Sequence, residues 1–445
     1  MDNNSFSSNQ TPEPSNIDPG STNQTQKKPI AVWAVSIIAI LVVVALGTYG
    51  VLKLLGGPGD PDLIEDQQEY ESLASAKLDF LKLEPTSENI VYSPLSIRNG
   101  LALINSGANG QTKEEIEKVL TDAQIPQYKN ISNTLSLANA IFIRDSFKDD
   151  VLSTYTDEIR HTYNGEIFYD NFESTDNMDN WIKKKTFNLI DSIGVTLEEN
   201  SEMVLANSLA IQINWRYPFD FENTNSSPFH QTDGSAIDVM TMHQTTSASD
   251  IKYHIDDSTT ALSMPLETTV EDNNLEFIAI MPASNLEQFI KTTDVTKLSN
   301  IVNSLTTANT AENGIEINIP RFKFDYKLNF KEDLESLGIK AAFSQEEADF
   351  SNMASAPLYV SQASHKANID CSEEGIRAAA ATTFVMDVKG QMEEPSQALA
   401  VTIDHPFLFL IRDADNGTVW FTGIVNQPSL WADTTDSSSS VRSAY

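Results

Sequence analysis

The chain has 445 residues, 63 acidic against 29 basic side chains, and a formal net charge of −34. That balance excludes a phosphate-backbone partner, which needs clustered Lys and Arg, so nucleic acid is not expected; it favours solubility and steering of basic proteins. A single cysteine, Cys371, excludes an intrachain disulfide and any CxxC chemistry, and six scattered histidines show no HExxH-type spacing, so neither a metal nor a cofactor is expected.

In chain order, residues 1–28 are rich in Ser, Asn, Gln, Thr and Pro and read as a disordered polar tail. Residues 30–52 (IAVWAVSIIAILVVVALGTYGVL) carry no charge over 23 positions, enough for a helix at about 1.5 Å per residue to span a bilayer core. Trp33 and Tyr49 sit near its ends, and Lys27 and Lys28 precede it, which predicts a membrane anchor over 29–55 with the main domain outside. The rival expectation is a signal peptide cleaved near Ala45-Leu46-Gly47, giving a secreted product. Residues 56–65, opening Gly-Gly-Pro-Gly, form a linker, the main domain fills 66–430, and 431–445 is a Ser-rich disordered tail.

A helical pattern runs from about Leu63 to Leu83, and 100–120 carries two helical stretches split at Gly110. Buried strands are predicted at 135–143 (LSLANAIFI), 203–213 (MVLANSLAIQI), 275–281, 406–412 (PFLFLIR) and 419–425 (VWFTGIV). Residues 314–324 alternate at period two, and a helix is expected from Lys327. Long strands mixed irregularly with helices predict an α+β domain with large sheets.

About 30 residues separate the strand ending near Asp370 from the one at Pro406, a length that marks a loop as functional or disordered. Read as a strand, one face of this segment is Ile376, Ala378, Ala380, Thr382, Phe384, Met386 and Val388, without a charge. The other face is Arg377, Ala379, Ala381, Thr383, Val385, Asp387 and Lys389, and carries all three charges. This is the pattern of a strand buried on one side. Gly375, after Glu373 and Glu374, gives the backbone freedom to bend.

Several segments together resemble the serpin family. They are NIVYSPLSI with GANGQTKEEIEKVL inside 89–120, SLANAIFI at 136–143, VLAN at 204–207 with Trp215 and Phe219, and PFH at 228–230 with MHQ at 242–244. IPRFKFDYKLNFKEDLESLGI at 319–339, VSQASHKANID, EEGIRAAAATT, DHPFLFLIRD and FTGIVNQP at 421–428 complete the set. Met178-Asp179, Asn188-Leu189 and Gln212-Ile213-Asn214 depart from the usual pattern. The resemblance implies an α+β serpin fold of about three β-sheets with eight to nine helices and an exposed reactive loop. It implies a suicide inhibitor of serine proteases and not an enzyme, one in which the cut loop traps the acyl-enzyme by inserting into the main sheet. In the family the cut lies about fourteen residues after the hinge glycine, which here is Lys389–Gly390 and implies a trypsin-like partner; Met386 and Met392 are alternative sites. The hinge is Glu373, Glu374, Gly375, Ile376, Ala378, Ala379, Ala380 and Ala381. Ser93, Ser96, Asn207 and His365 match a buried polar cluster where the sheet opens, and Trp215 the aromatic at its top. A monomer without cofactor is expected. Two rival classes remain: a non-inhibitory binding or chaperone module, and a hydrolase built on Ser93, His365 and Asp404, which lacks a GxSxG elbow.

Overall fold

The structure, a computed structural model, describes residues 78–120, 130–131, 134–267, 274–328, 330–377 and 398–431. The predicted N-terminal tail, apolar span and linker, and the C-terminal tail, lie outside the described residues apart from Trp431. Among the described residues no helix is long and apolar enough to cross a membrane.

The chain opens with α1 (Asp79–Leu83) and β1 (Ile90–Tyr92). Ser93 then caps α2 (Pro94–Gly107): its Oγ accepts from Ser96 N at 3.0 Å, and Pro94 supplies a first helical position that needs no donor. α3 (Gly110–Leu120) follows, then β2 (Leu135–Arg144), α4 (Ser153–His161), β3 (Glu166–Asp170), α5 (Asp176–Lys185) and β4 (Met203–Asn214). Strands β5 (Asn225–His230), β6 (Ala236–Thr246), β7 (Lys252–Ile255), β8 (Thr259–Pro265) and β9 (Leu275–Pro282) form the middle of the chain. After them come α6 (Leu286–Thr292), α7 (Val295–Asn303), β10 (Thr306–Thr307), β11 (Ile315–Pro320), β12 (Phe322–Lys327) and α8 (Phe330–Ser336). The last strands are β13 (Lys366–Ser372), β14 (Gly375–Arg377), β15 (Leu399–Thr402), β16 (Phe407–Asp413) and β17 (Val419–Val425).

These strands make three sheets among the described residues: β1-β17-β16-β9-β8-β7-β10, β15-β11-β6-β5 and β12-β13-β14-β4-β2-β3. With eight α-helices described, the α+β expectation holds. β16 and β17 are buried along their whole length, which is why they read as unbroken apolar runs. β13 alternates half-buried and buried positions, the signature of a strand with one face on the core. Helix α2 lies between β4 and β17 and is buried at Leu95, Ile97, Leu101 and Leu103, and also at Ser96, Arg98 and Asn99, so the floor of the six-stranded sheet is a helix buried on nearly every side.

Two expectations need correction. The alternating run after Gly314 is two strands broken at Arg321, and Lys327 ends β12 rather than starting a helix; α8 begins at Phe330. The reason is tertiary: β12 pairs with β13 from Phe322 opposite Cys371 to Lys327 opposite Lys366, and that ladder outweighs local helix propensity. The segment between Asp370 and Pro406 is not one uninterrupted loop, because it contains β14 and β15.

Candidate functional site

The described end of the predicted hinge enters the six-stranded sheet as β14, Gly375–Arg377. β14 runs antiparallel to both its neighbours, with Ile376 opposite Cys371 on β13 and Ile213 on β4, and Arg377 opposite Asp370 and Gln212. β13 and β4 therefore run in the same direction, separated at one end by three residues of a third strand. Ile376 is 1% exposed, as the inward face read from the sequence requires. Gly375 does more than bend: a Cβ there would lie 2.3 Å from Ile213 O and 2.5 Å from Asn214 Cα, so only glycine lets the chain enter between the strands.

The turn above β14 is held on all sides. Glu373 is buried; its carboxylate accepts from Thr224 Oγ1 at 2.6 Å and lies 3.6 Å from the Arg321 guanidinium. Its carbonyl accepts from Phe219 N, and that of Glu374 from Trp215 N, both at 2.9 Å. Trp215 is fully buried, donates from Nε1 to Ser372 O at 2.8 Å, and meets the rings of Phe219 and Phe277 edge-on. An indole buried with its N–H satisfied is a rigid clamp.

Below Ile376 the two banks part around a cavity of about 400 Å³. Its walls are β4 from Met203 to Ile211 and the chain from Ser361 to Ile369, with Ile376 at its head. The polar cluster lies along it. His365 Nε2 accepts from Ser93 N at 3.0 Å, which makes the imidazole a neutral acceptor. Ser96 Oγ donates to Asn207 Oδ1, Asn207 Nδ2 donates to Asn139 Oδ1 at 2.6 Å, and Asn139 Nδ2 donates to Tyr163 O at 2.8 Å. Burial pushes His365 down from its ordinary value to about 4. The Phe330 ring packs against it at a tilt of 48°, with centroids 5.8 Å apart.

One segment bridges the banks. Between α5 and β4 the chain crosses to the far side, where Thr196 N donates to Gln362 Oε1 at 2.9 Å and Gln362 Nε2 donates to Thr196 O at 2.7 Å. Lys327 Nζ adds a bond to Gly194 O at 3.2 Å. Phe187 and Asn188 in this segment adopt positive φ of 55° and 64°; Asn tolerates that conformation where a bulky residue is strained.

Glu373, Glu374, Gly375 and Ile376 are thus brought together with Trp215, and Ser93, Ser96, Asn207 and His365 form one cluster beneath. Ala378, Ala379, Ala380, Ala381, Met386, Lys389, Gly390 and Met392 lie outside the described residues. The triad alternative does not assemble: Ser93 offers His365 its backbone N–H, the Ser93 hydroxyl caps α2, and Asp404 is bonded to His405 Nδ1 at 2.7 Å. Among the described residues no group of three or more His, Cys, Asp or Glu could hold a metal. Sequence reasoning missed Arg321, Thr224, Asn139 and Gln362. Only Asn139 carried a local signal, a polar residue inside an apolar strand.

Three sheets, a strand seated at one end of a slot and a buried polar cluster along it define a serpin. A family model described as serpin (serine protease inhibitor) matches residues 69–428, and the chain belongs to that family, which is one of protease inhibitors and not of enzymes, though some of its members do not inhibit. An uncharacterized serpin-like protein of Methanosarcina acetivorans is 28% identical over 366 residues, 77% of this chain and 82% of that protein. Plasminogen activator inhibitor 1 of Bos taurus is 27% identical over 370 residues, covering 76% and 87%. Tengpin, a thermophilic serpin in its native state, superposes with a TM-score of 0.66 at 25% identity, covering 83% of this chain and 95% of that one.

Proposed function

We propose that this serpin is a suicide inhibitor of trypsin-like serine proteases, with Lys389–Gly390 the bond that is cut. The observation that carries the reading is the slot of about 400 Å³ running on from Ile376 between β4 and the chain leading into β13. On this reading the cut loop continues the register of β14, so that Ala378 would enter between Ile369 and Ile211, Ala380 between Ala367 and Leu209, and Thr382 between His365 and Asn207. Ile369, Ile211, Ala367 and Leu209 are buried, so the uncharged face of the loop matches the apolar side of the slot. The protease attacks the loop as a substrate and becomes an acyl-enzyme. The freed strand enters the slot, carries the protease with it, and distorts its site before water completes hydrolysis. A lysine at the cut suits a specificity pocket that holds a carboxylate. Residues 30–52 anchor the domain outside the cell in this reading.

The test is incubation with trypsin followed by a denaturing gel. The expected result is a covalent band near the summed masses, with a released peptide beginning at Gly390 by mass spectrometry. Complete cleavage without that band, across several serine proteases, overturns inhibition and leaves a binding role. Cell fractionation tests the anchor: an intact chain in the membrane fraction supports it, and a free, shortened product refutes it.

A further inference from the structure

The outer face of the slot carries a chemistry that strand insertion does not use. Residues 186–202, between α5 and β4, contribute part of the cavity wall there. On β4, Ala206 belongs to one buried cluster with Trp181, Ile182 and Ile190, so the strand turns that face toward α5 and the segment after it. Ser208, two positions on, shares the face. It is 3% exposed and lines the cavity, and its hydroxyl has no hydrogen-bond partner. Ser364 lines the opposite wall, and its buried hydroxyl also lacks a partner. A buried hydroxyl left unmatched is costly, so two of them facing one cavity call for an explanation.

Two lysines stand beside them. Lys327 on β12 and Lys366 on β13 are directly opposite in the antiparallel ladder, so their side chains leave the sheet on the same face, where like charges repel. The pairing is all the less expected in a chain with 63 acidic and 29 basic residues. Asp191, a carboxylate of the covering segment, is engaged by Lys183 at 2.9 Å. Lys327 Nζ donates to Gly194 O at 3.2 Å, which uses one of its three protons. Gly194 has a φ of 77°, and a Cβ there would lie 3.0 Å from Ser364 Oγ and 3.9 Å from Lys327 Nζ. Glycine therefore leaves open a space bordered by a hydroxyl and an ammonium, and Lys366 also lines the cavity.

We propose that the outer half of the slot binds an anionic amphiphile, a long-chain carboxylate, with its head held by Ser208, Ser364, Lys327 and Lys366. A carboxylate offers about four acceptor sites, which matches these four donors, and bonds from ammonium groups to it are the strong, charge-assisted kind. The tail follows β4 from Ser208 past Ala206 to Val204, about 13 Å along one face of the strand, beneath Ile193 and Leu197, which pack on the same cluster. The cavity of about 400 Å³ has room for such a ligand, within the range of about 300–1,000 Å³ usual for small-molecule sites. One consequence rests on the inhibitor reading. In the continued register Ala381 has Ser208 and Lys366 as its neighbours, so the bound head stands where the loop has to pass and has to leave before insertion is complete.

The test is calorimetric titration of the purified full-length protein with dodecanoate, dodecyltrimethylammonium and acetate, without protease. Dodecanoate should bind with a single saturable equivalent, the ammonium amphiphile more weakly by at least about tenfold, the worth of one charge-assisted bond, and acetate not measurably. Lys366→Gln and Lys327→Gln should each weaken dodecanoate by roughly tenfold, and Ser208→Leu, which fills the cavity from β4, should abolish its binding. If Ser208→Leu fails to fold, the two lysine variants carry the comparison. Absence of saturable dodecanoate binding overturns the site, as does equal affinity for the ammonium amphiphile or binding unchanged in both lysine variants. Incubation with trypsin is run separately: dodecanoate should weaken the covalent band, and an undiminished band at saturating dodecanoate overturns the block on insertion. A band missing with and without dodecanoate refutes the inhibitor reading instead and leaves the calorimetry to decide the site.

Discussion

Replacing Ala380 with Glu puts a charge on the face of the loop that has to enter the sheet. In the continued register its neighbours are Ala367 and Leu209, which are 3% and 7% exposed, and neither offers a partner. An uncompensated buried charge costs about 3–5 kcal/mol. At 1.4 kcal/mol per factor of ten, that slows passage of residue 380 by roughly a thousandfold. Water then reaches the acyl-enzyme first, and the loop is turned over as a substrate. The assay is the ratio of inhibitor consumed to protease inactivated, read with the covalent band on a denaturing gel; the ratio rises and the band vanishes. Ala381→Glu is the control, because its register neighbours are Ser208 and Lys366, and the lysine can pair with the new carboxylate. If Ala380→Glu traps protease as well as wild type, the register or the direction of insertion is wrong.

Lys389→Glu should abolish inhibition of trypsin while leaving the unfolding midpoint unchanged. Arg321→Met leaves the buried Glu373 carboxylate without its ion pair; loss of about 1–3 kcal/mol is expected, seen as a lower midpoint and faster exchange in β14. Gln362→Ala removes both bonds to Thr196, and because the banks must separate by about one strand spacing of 4.8 Å, the variant should insert faster in stopped-flow measurements. His365 is held down at about 4, so the unfolded chain takes up a proton between about pH 6.5 and 4 that the folded one refuses. That costs about 3 kcal/mol as pH falls, and His365→Gln should flatten the acid side of the stability profile.

The strands of the core were legible because β16, β17, β9 and β4 are long and apolar, and burial leaves a plain mark on composition. Of the inward face read for the loop, Ile376 is the residue described, and it is buried as the period-two pattern predicted. Three features were not. β14 is three residues long, too short to carry a period. Arg321 reaches Glu373 across some fifty positions of sequence, and nothing local to either residue announces the pair. Lys327 looked like the start of a helix because the alternation that keeps it in β12 is enforced by β13, not by its own neighbours.

The three seated residues of β14 also bear on how insertion begins. A strand entering a closed sheet must first break into it, the costly step of any ordered chain, before each added residue gains contacts on two sides. Here Gly375, Ile376 and Arg377 already pair with both banks. On the proposed mechanism, cutting the loop therefore starts no search: a zipper would close from a fixed end, one residue at a time, past Ala378, Ala380 and Thr382 in turn. On that mechanism the race against water would be decided by propagation along the track, and its early steps are the ones at which the alanines offer no obstruction.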